Sequence, residues 1–423
     1  MSSLARYLSD CGKIVAGSDV CDSVFTKELK KIGIRISTDS RRESIADFDV
    51  VVYTDAIREN DVQLTEAKNL GKPLISRGQL LYEVGRNFQN IIAISGCHGK
   101  TTCTAMLAHI FDSANKQFCA HIGGRDLCYG NYYNCGDDYF ITEACEYKKN
   151  FLLLKPDTAV VLNSRPDHLE CYGSEESLKK SYFQFIGSAN IKVSLYGDLG
   201  TGSLTFGFDK NADYYAGNIA ETDGFYSFNA FEGGCELGKI SLSVYGKHNI
   251  LNALAAIAVA RSAQISFKNI QTGILSFKGV ERRFETLATA NGIKFIADYA
   301  HHPDEIRASL RTAKKITAGK LYVVFQPHTY SRTKNLMKQF IKVLSAQSNL
   351  LIYRTFAARE YYDDAGSALT LSTKIKKSRY GDAESDIADF ISKAHTDDTV
   401  LFIGAGDIYD ISKNLLKKLK YSV

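Results

Sequence analysis

The sequence predicts an α/β protein with several domains, and two observations lead to that prediction. Short runs rich in β-branched residues alternate with helical stretches along most of the chain, which is the pattern of parallel sheets covered by helices. The length of 423 residues corresponds to about three domains. One segment departs from the alternation: Tyr214 to Tyr245 is rich in Gly, Tyr, Phe and Ser, and it predicts an antiparallel insertion.

Domain boundaries are predicted near Gln89 and Asn90, just before the run IIAISG, and near Gly279, where a helical segment ends. The predicted domains are therefore residues 1–90, 91–278 and 279–423. The predicted strands are Lys13 to Ala16, Val50 to Tyr53, Ile91 to Ser95, Tyr139 to Thr142, Thr158 to Asn163, Leu321 to Phe325, Leu350 to Tyr353 and Thr399 to Ile403.

The composition is that of a folded globular chain, with 45% hydrophobic and 23% charged residues. Lys and Arg number 52 against 47 Asp and Glu, without a dense basic block, so no nucleic acid partner is expected. The chain has no apolar run of membrane-spanning length, and its start, MSSLARYLSD, has no secretory core, so we expect a cytoplasmic protein without membrane insertion. The ten cysteines show no C-x-x-C spacing, which predicts thiols that are mostly buried.

A glycine-containing turn between a predicted strand and a predicted helix carries the strongest chemical signal. The turn GCHGKTT follows Ile91 to Ser95 and precedes a helical pattern at Cys103 to Asp112. Glycines let backbone N–H groups close around phosphate oxygens, the helix start and a lysine add positive charge, and a threonine hydroxyl suits Mg²⁺. The pattern predicts a nucleoside triphosphate site made by Gly96, Cys97, His98, Gly99, Lys100, Thr101 and Thr102.

Two residues near this turn complicate the prediction. Ile94 stands where the pattern G-x-x-x-x-G-K-[ST] requires its first glycine, so the alternative is a tight turn that threonine merely caps. Cys97 lies beside the helix start and Lys100, which predicts a lowered pKa of its thiol. We expect bound ATP to block alkylation of Cys97; the simpler interpretation is a packed small residue.

The turn and six further segments resemble the Mur ligases, ATP-dependent enzymes that build the peptide of bacterial peptidoglycan. The similarity extends over nearly the whole chain, and its HHP and QPH motifs are most similar to the alanine-adding members. It implies a Rossmann-like N-terminal domain whose first strand is missing here, a central P-loop ATPase-type mixed sheet and a Rossmann-like C-terminal domain. The segments are GCHGKTT, Thr142 to Ala144, Asn163 through His168, Gly246 to Asn252, Arg282 to Phe284, Asp298 to Pro303 and Gln326 to His328.

The resemblance implies that a carboxylate attacks the γ-phosphate of ATP and that the amine of an amino acid then attacks the acyl phosphate. Such catalysis depends on positioning and charge neutralisation. The implied ligands are ATP, Mg²⁺, UDP-N-acetylmuramate and an amino acid, with L-alanine expected. By the same resemblance, Thr101, Glu143 and His168 are Mg²⁺ ligands. Glu143 and Asn163 also close predicted strands, and the carboxyl ends of strands are where open α/β sheets bind ligands.

Other residues receive roles from the resemblance. His248, Asn249 and Asn252 correspond to adenine contacts, although asparagines at a helix start also act as caps. Asp298 resembles the ribose partner; its alternative is a surface salt bridge. The residues assigned to catalysis are Lys100, Arg283 and His301, and those assigned to substrate binding are Asn163, Asp167, Tyr299, His328 and Arg332.

His301 is predicted to work as a neutral imidazole. It precedes Pro303, a good first residue of a helix, and a helix N-terminus disfavours protonated histidine. The hypothesis is that His301 accepts the proton of the incoming amine.

The sequence departs from the family at its start. Family members begin with a strand and a G-x-G-G turn before a Met-Ser helix start, whereas Met1 and Ser2 already form that helix start here. We expect the natural chain to extend upstream by about 10 to 15 residues, one strand and a turn. The alternative is a chain that has lost its UDP site.

Further departures concern the amino acid. Thr329 stands where the alanine-adding ligases carry an arginine, and threonine cannot replace a bidentate partner of a carboxylate. Cys145 replaces an aspartate of the E-A-D-E-S motif. Tyr182, by contrast, favours the alanine-adding subgroup, because it occupies the place of a carbamoylated lysine that several Mur ligases carry and that the alanine-adding ligases also lack. Two alternatives therefore remain open: a ligase that recycles preformed peptides, or a non-catalytic nucleotide-binding protein. The oligomeric state is not predicted.

Overall fold

The computed structural model describes residues 1–39, 44–55, 57, 60–165, 169–199 and 203–419. They form a mixed α/β structure, which confirms the predicted fold class. Two compact units divide the chain: Met1–Ile219 with Ser227–Ser243 and His248–Lys278, and Ala220–Tyr226 with Val244–Lys247 and Gly279–Val423. The boundaries of the three predicted domains stay a prediction. Every helix in the described ranges is too short or too polar to cross a membrane.

The N-terminal part of the first unit contains two separate pairs of parallel strands. Its elements are α1 (Ser2–Asp10), β1 (Ala16–Ser18), α2 (Val24–Lys31), β2 (Arg35–Ser37), β3 (Val51–Tyr53), α3 (Val62–Asn69), β4 (Leu74–Ser76) and α4 (Arg77–Gly85). β1 pairs with β2, and β3 pairs with β4. The strand predicted from Lys13 begins later, at Ala16, and Ile14 is 88% exposed.

A ten-stranded mixed sheet dominates the rest of the first unit, in the order β14-β13-β12-β11-β10-β9-β5-β8-β6-β7. Its strands are β5 (Asn90–Ser95), β6 (Phe118–Asp126), β7 (Gly130–Asn134), β8 (Tyr139–Glu143), β9 (Thr158–Val161), β10 (Ile191–Leu195), β11 (Leu204–Gly207), β12 (Tyr214–Thr222), β13 (Phe225–Glu232) and β14 (Cys235–Tyr245). Its helices are α5 (Lys100–Ser113), α6 (Leu169–Tyr172), α7 (Glu175–Gly187), α8 (His248–Ser262) and α9 (Phe267–Ser276), with a 3₁₀ segment at Tyr147–Leu153.

The continuous apolar run of β5 explains its central place in that sheet. Ile92, Ala93 and Ile94 are almost fully buried, as expected for a parallel strand covered on both faces. β5 pairs in parallel with β8 on one side and β9 on the other. The carboxyl ends of these three strands therefore meet at one edge of the sheet. Two-residue connections join β12 to β13 and β13 to β14, so these strands are hairpins, as predicted for Tyr214 to Tyr245.

The second unit is built on a six-stranded sheet in the order β15-β16-β20-β17-β18-β19. Only the β15–β16 pair is antiparallel. The strands are β15 (Glu285–Ala290), β16 (Ile293–Asp298), β17 (Leu321–Phe325), β18 (Asn349–Tyr353), β19 (Ser378–Gly381) and β20 (Thr399–Ile403). The helices are α10 (Pro303–Ile316), α11 (Tyr330–Asn335), α12 (Met337–Leu344), α13 (Ala368–Thr373), α14 (Glu384–Ile391) and α15 (Ile408–Lys418), with a 3₁₀ turn at Asp364–Gly366.

The prediction that the cysteines are mostly buried is wrong. All ten are free thiols, and three of them are buried: Cys97, Cys103 and Cys119. Four are exposed because they lie at the ends of elements or in turns, where a small side chain reaches solvent. These are Cys11, Cys21, Cys128 and Cys235.

Candidate active site

The predicted phosphate turn connects β5 to α5, and its two glycines have backbone conformations that favour glycine. Gly96 has a φ of 129° and Gly99 a φ of 90°. A Cβ atom on Gly96 would lie 3.1 Å from the backbone of Asn163, and one on Gly99 would lie 2.3 Å from Oδ1 of Asn252. The turn is therefore closely packed from both sides, and larger residues at these positions would displace it.

Asn163 holds the turn in place. Its side-chain Oδ1 accepts a hydrogen bond from the N–H of His98 at 3.2 Å, and its Nδ2 donates to the carbonyl of His98 at 3.0 Å. Its own carbonyl accepts from the N–H of Cys97 at 3.3 Å. These contacts give Asn163 a structural role; its assigned role in substrate binding stays a prediction.

Lys100 begins α5 and is engaged by an acidic partner. Its ammonium lies 2.8 and 3.0 Å from the two carboxylate oxygens of Glu146 and 2.5 Å from the carbonyl of Gly96. The side chains of Lys100 and Glu146 are 15% and 2% exposed. Burial alone would lower the pKa of Lys100, but the charge and hydrogen bonds of Glu146, together with Cys145 and Glu143, outweigh burial and raise that pKa above its ordinary value. Glu146 received no role from the sequence, because only the fold shows that it faces Lys100.

Glu143 ends β8, and its carboxylate lies close to the phosphate turn. Its Oε1 accepts from the N–H of Gly123 at 2.6 Å, and its charge also raises the pKa of Lys100. Thr101 is buried at the start of α5. A carboxylate and a hydroxyl are ligand types that suit Mg²⁺, so these residues fit the predicted metal. Asp167 and His168 lie outside the described residues.

Cys97 is buried, and its thiol makes polar contacts with two neighbouring residues. It donates a hydrogen bond to the carbonyl of Arg165, and it lies 3.9 Å from the hydroxyl of Tyr182. Burial raises the pKa of Tyr182, which is fully buried, so the position of the missing lysine is filled by a neutral phenol. This environment favours the packed small residue among the two interpretations of Cys97. Its expected protection by ATP stays a prediction.

Of the predicted adenine contacts, Asn252 lies beside the phosphate turn. Its Nδ2 donates to Oδ1 of Asn249 at 2.8 Å, and both side chains are buried at the start of α8. His248, the first residue of α8, is exposed. The hydrogen bond between the two side-chain amides holds Asn252 in place on the side of the phosphate turn where Gly99 lies. Thr102 follows Thr101 in the first turn of α5 and is partly buried.

In the second unit, Asp298 ends β16 and is partly buried. Its carboxylate accepts hydrogen bonds from the N–H of Phe284, at 3.4 Å, and from the hydroxyl of Ser309. Burial raises the pKa of Asp298 to about 6, against the opposing effects of Ser309 and of the Arg283 charge. The guanidinium of Arg283 lies 5.1 Å from the centre of the Tyr299 ring. The alternative of an exposed salt bridge therefore does not describe Asp298.

His301 lies just before α10, as predicted. Its Nδ1 lies 3.0 Å from the carbonyl of Tyr299, so that N–H donates there and Nε2 is left as a proton acceptor. Burial lowers the pKa of His301, and the charge of Arg332 lowers it further. The predicted neutral imidazole is supported, but its main cause is burial rather than the helix start. Pro303 is the first residue of α10, and a capping box between His302 and Glu305 fixes that start.

His328 and Arg332 lie beside His301. The rings of His301 and His328 are 5.9 Å apart, and Nη1 of Arg332 lies 3.0 Å from Nδ1 of His328. Burial, Arg332 and His301 lower the pKa of His328 to about 4, so this imidazole is also neutral. Thr329 caps α11 through its hydroxyl, which accepts from the N–H of Arg332 at 3.4 Å. These residues therefore provide one positive charge, on Arg332, that can bind an anion, and two neutral imidazoles, of His301 and His328, that can accept a proton.

Comparisons with known proteins identify the family. Residues 1–89 match the model of the Mur ligase family, catalytic domain, residues 94–260 that of the Mur ligase middle domain, and residues 282–406 that of the Mur ligase, glutamate ligase domain. The chain is 39% identical over 437 residues to the UDP-N-acetylmuramate--L-alanine ligase of Clostridium acetobutylicum, covering 99% of this chain and 95% of that protein. It is 37% identical over 438 residues, with the same coverage, to that of Clostridium beijerinckii.

Solved structures agree with these matches. The UDP-N-acetylmuramate-alanine ligase of Thermotoga maritima superposes with a TM-score of 0.87 at 27% identity, covering 99% of this chain and 96% of that one. A murein peptide ligase from Psychrobacter arcticus, at 23% identity and a TM-score of 0.75, shares the fold. The resemblance and the expectation of an enzyme that forms C–N bonds are confirmed, and the chain belongs to the Mur ligase family.

Proposed function

We propose that this protein joins L-alanine to the carboxylate of UDP-N-acetylmuramate in the cytoplasm, with conversion of ATP to ADP and phosphate, as a step of peptidoglycan synthesis. The observation that carries the proposal is the phosphate turn: Lys100 begins α5, and Glu143 ends the strand next to β5. The names of the relatives support L-alanine and UDP-N-acetylmuramate as the substrates.

In the first step, an oxygen of the substrate carboxylate attacks the γ-phosphorus of ATP, the bond to the β-phosphate oxygen breaks, and ADP leaves. The turn amides and the ammonium of Lys100 neutralise the charge of the phosphates. Lys100 exchanges Glu146 for phosphate oxygens in this step. Thr101 and Glu143 would hold Mg²⁺, which when bound supplies further positive charge at the phosphates.

In the second step, the amine of the amino acid attacks the acyl carbon, and the carbon–oxygen bond to the phosphate breaks. The nitrogen loses a proton, and Nε2 of His301 is the acceptor because its Nδ1 is bonded to the carbonyl of Tyr299. Arg332 supplies the positive charge for the carboxylate of the amino acid. Thr329 caps α11 and has no charge, so it does not pair with that carboxylate.

An assay of ADP release by the purified chain with ATP and Mg²⁺ tests the proposal. We expect release only when UDP-N-acetylmuramate and L-alanine are both present. Lys100→Ala should lower the rate by about 10²- to 10³-fold or more, because it removes a charge that stabilises the transition state. Lys30→Ala is the matched control, since the ammonium of Lys30 also pairs with a carboxylate but is exposed. His301→Gln should slow amide formation and leave ATP binding unchanged.

The same assay distinguishes the alternatives. Glycine, L-serine and the tripeptide L-alanyl-γ-D-glutamyl-meso-diaminopimelate replace L-alanine in parallel reactions. A preference for the tripeptide would show a peptide-recycling ligase and contradict the proposal. ATP binding without substrate-dependent ADP release would show a nucleotide-binding protein that does not catalyse ligation.

A further inference from the structure

A second group of polar side chains lies in the first unit, away from the phosphate turn. Among the described residues, His109, Asp126 and Cys128 bring one ligand atom each to within 4.8 Å of one another. His109 lies in the third turn of α5, Asp126 ends β6, and Cys128 follows in the turn before β7. His109 is nine positions after Lys100, which is about 14 Å along the helix. The proposed ligation reaction uses none of these three residues.

His109 is held in one orientation. Its side chain is 2% exposed, and its ring packs against those of Tyr129 and Phe277, with centroid distances of 4.5 and 5.5 Å. Nδ1 lies 2.9 Å from the hydroxyl of Ser276, while Nε2 lies 3.3 Å from both carboxylate oxygens of Asp126. The imidazole therefore presents Nε2 to a carboxylate in a fixed geometry.

The direction of the hydrogen bond between Ser276 and Nδ1 of His109 determines whether Nε2 carries a proton. The Ser276 hydroxyl also lies 2.9 Å from the carbonyl of Gly273. When the hydroxyl donates to that carbonyl, Nδ1–H of His109 donates to Ser276, and the lone pair of Nε2 faces the carboxylate of Asp126. Two acceptors 3.3 Å apart then need a positive charge between them. In the other arrangement Nε2–H donates to Asp126, and the network is satisfied without a cation.

Asp126 and Cys128 are fixed by the turn that joins β6 to β7. Oδ1 of Asp126 accepts from the N–H of Cys128 at 2.8 Å and from the N–H of Tyr129 at 2.9 Å. The turn keeps Sγ of the exposed Cys128 within 4.8 Å of the carboxylate of Asp126 and of the imidazole of His109. Partial burial and the charge of Asp126 raise the pKa of the Cys128 thiol, and the nearby Lys278 lowers it. A divalent cation would favour the thiolate in the same way as Lys278, but more strongly.

We propose that Nε2 of His109, a carboxylate oxygen of Asp126 and Sγ of Cys128 bind a divalent cation of the Zn²⁺ class. Imidazole, carboxylate and thiolate together suit Zn²⁺ or Co²⁺, whereas Mg²⁺ prefers oxygen ligands. Three protein ligands leave a fourth tetrahedral position, which water fills because Cys128 is exposed. Binding releases the thiol proton to solvent. Ser276 orients His109, as hydrogen bonds to the second nitrogen do at metal-bound histidines.

Titration of the full chain with Co²⁺ tests this site. Metal is first removed with a chelator, and excess Mg²⁺ then fills sites made of oxygen ligands. We expect one Co²⁺ to bind with the near-ultraviolet absorption of a thiolate–cobalt bond, and an equivalent of Zn²⁺ to displace it. Ser276→Ala should lower the affinity by about 10- to 100-fold and keep the thiolate absorption.

Cys128→Ser should abolish that absorption and weaken binding by a larger factor than Ser276→Ala. Because Cys128 is exposed, the substitution leaves the core intact, and circular dichroism confirms folding. Cys235→Ser is the matched control, since Cys235 is another exposed thiol of the first unit. Co²⁺ binding without thiolate absorption in the unsubstituted protein would overturn the proposal. Equal binding by Cys128→Ser, or loss of the absorption in Cys235→Ser, would overturn it as well.

Discussion

Removing the charge of Lys100 should destabilise the first unit more than removing the charges of both Lys100 and Glu146. The Lys100→Met variant leaves the carboxylate of Glu146, which is 2% exposed, without its ammonium partner. Breaking a buried ion pair in this way costs about 3–5 kcal/mol, because the remaining charge is poorly solvated. The variant Lys100→Met with Glu146→Gln removes both charges, so we expect it to be about 3 kcal/mol more stable than Lys100→Met alone.

Glu146→Gln alone should cost less, about 2 kcal/mol. The ammonium of Lys100 is 15% exposed, it keeps the carbonyl of Gly96 at 2.5 Å, and the glutamine amide oxygen retains one hydrogen bond. The exposed pair Lys30 and Asp22, with an N–O distance of 2.7 Å, is the control. Lys30→Met should cost less than about 1 kcal/mol, because solvent screens that pair.

Hydrogen exchange of the α5 amides measures these free energies locally, which avoids the assumption that a chain of several units unfolds in one step. The chain contains no tryptophan, so denaturant titrations are followed by far-ultraviolet circular dichroism. If the double variant were as unstable as the sum of the two single variants, Lys100 and Glu146 would not be coupled, and the reasoning from burial would be refuted.

Two further predictions concern the phosphate turn and the imidazole group. Gly99→Ala should abolish ATP binding, because its Cβ would lie 2.3 Å from Oδ1 of Asn252. Gly130 also has a positive φ, but a Cβ atom there would meet nothing within 4 Å, so Gly130→Ala should lower the free energy of unfolding only by the backbone strain of about 1–2 kcal/mol. This control variant should bind ATP normally in a nucleotide titration. Between pH 6.5 and about 4 the unfolded chain binds a proton at His328 that the folded chain does not, so the stability contributed by neutral His328 is present above pH 6.5 and is lost as the pH falls. Relative to His328→Gln, the free energy of unfolding should therefore fall by up to about 1.4 kcal/mol per pH unit in this window, and a difference independent of pH in urea titrations would contradict it. The comparison also cancels the opposite slope of Asp298, whose pKa is raised to about 6.

Much of the fold could be predicted because its strands are local apolar runs. Leu321–Phe325 and Thr399–Ile403 were predicted with their observed bounds, since buried parallel strands show as continuous apolar segments. Strands such as β6, β7 and β11 were missed because they mix polar residues and glycines with apolar ones. Their sheet positions depend on neighbours that are distant in the chain.

Residues of the candidate site also differ in whether nearby residues in the sequence were enough to predict them. The resemblance assigned His328 and Arg332 through one short motif, and Lys100 follows its glycine directly, so both assignments needed only nearby residues; their roles stay predictions. The resemblance assigned Glu143 to the metal, and its place at the end of a strand supports that prediction, because parallel strands end at one edge of a sheet.

The sequence by itself determined the glycine turn between β5 and α5, the most apolar strands and the family, because each is indicated by residue types within a few positions of one another. Only the tertiary structure decided that Glu146 faces Lys100, that Asn163 supports the turn, and that His109 meets Asp126 and Cys128. Those contacts join residues 17 to 65 positions apart. Their geometry is set by how strands and helices pack, which local residue spacing does not encode.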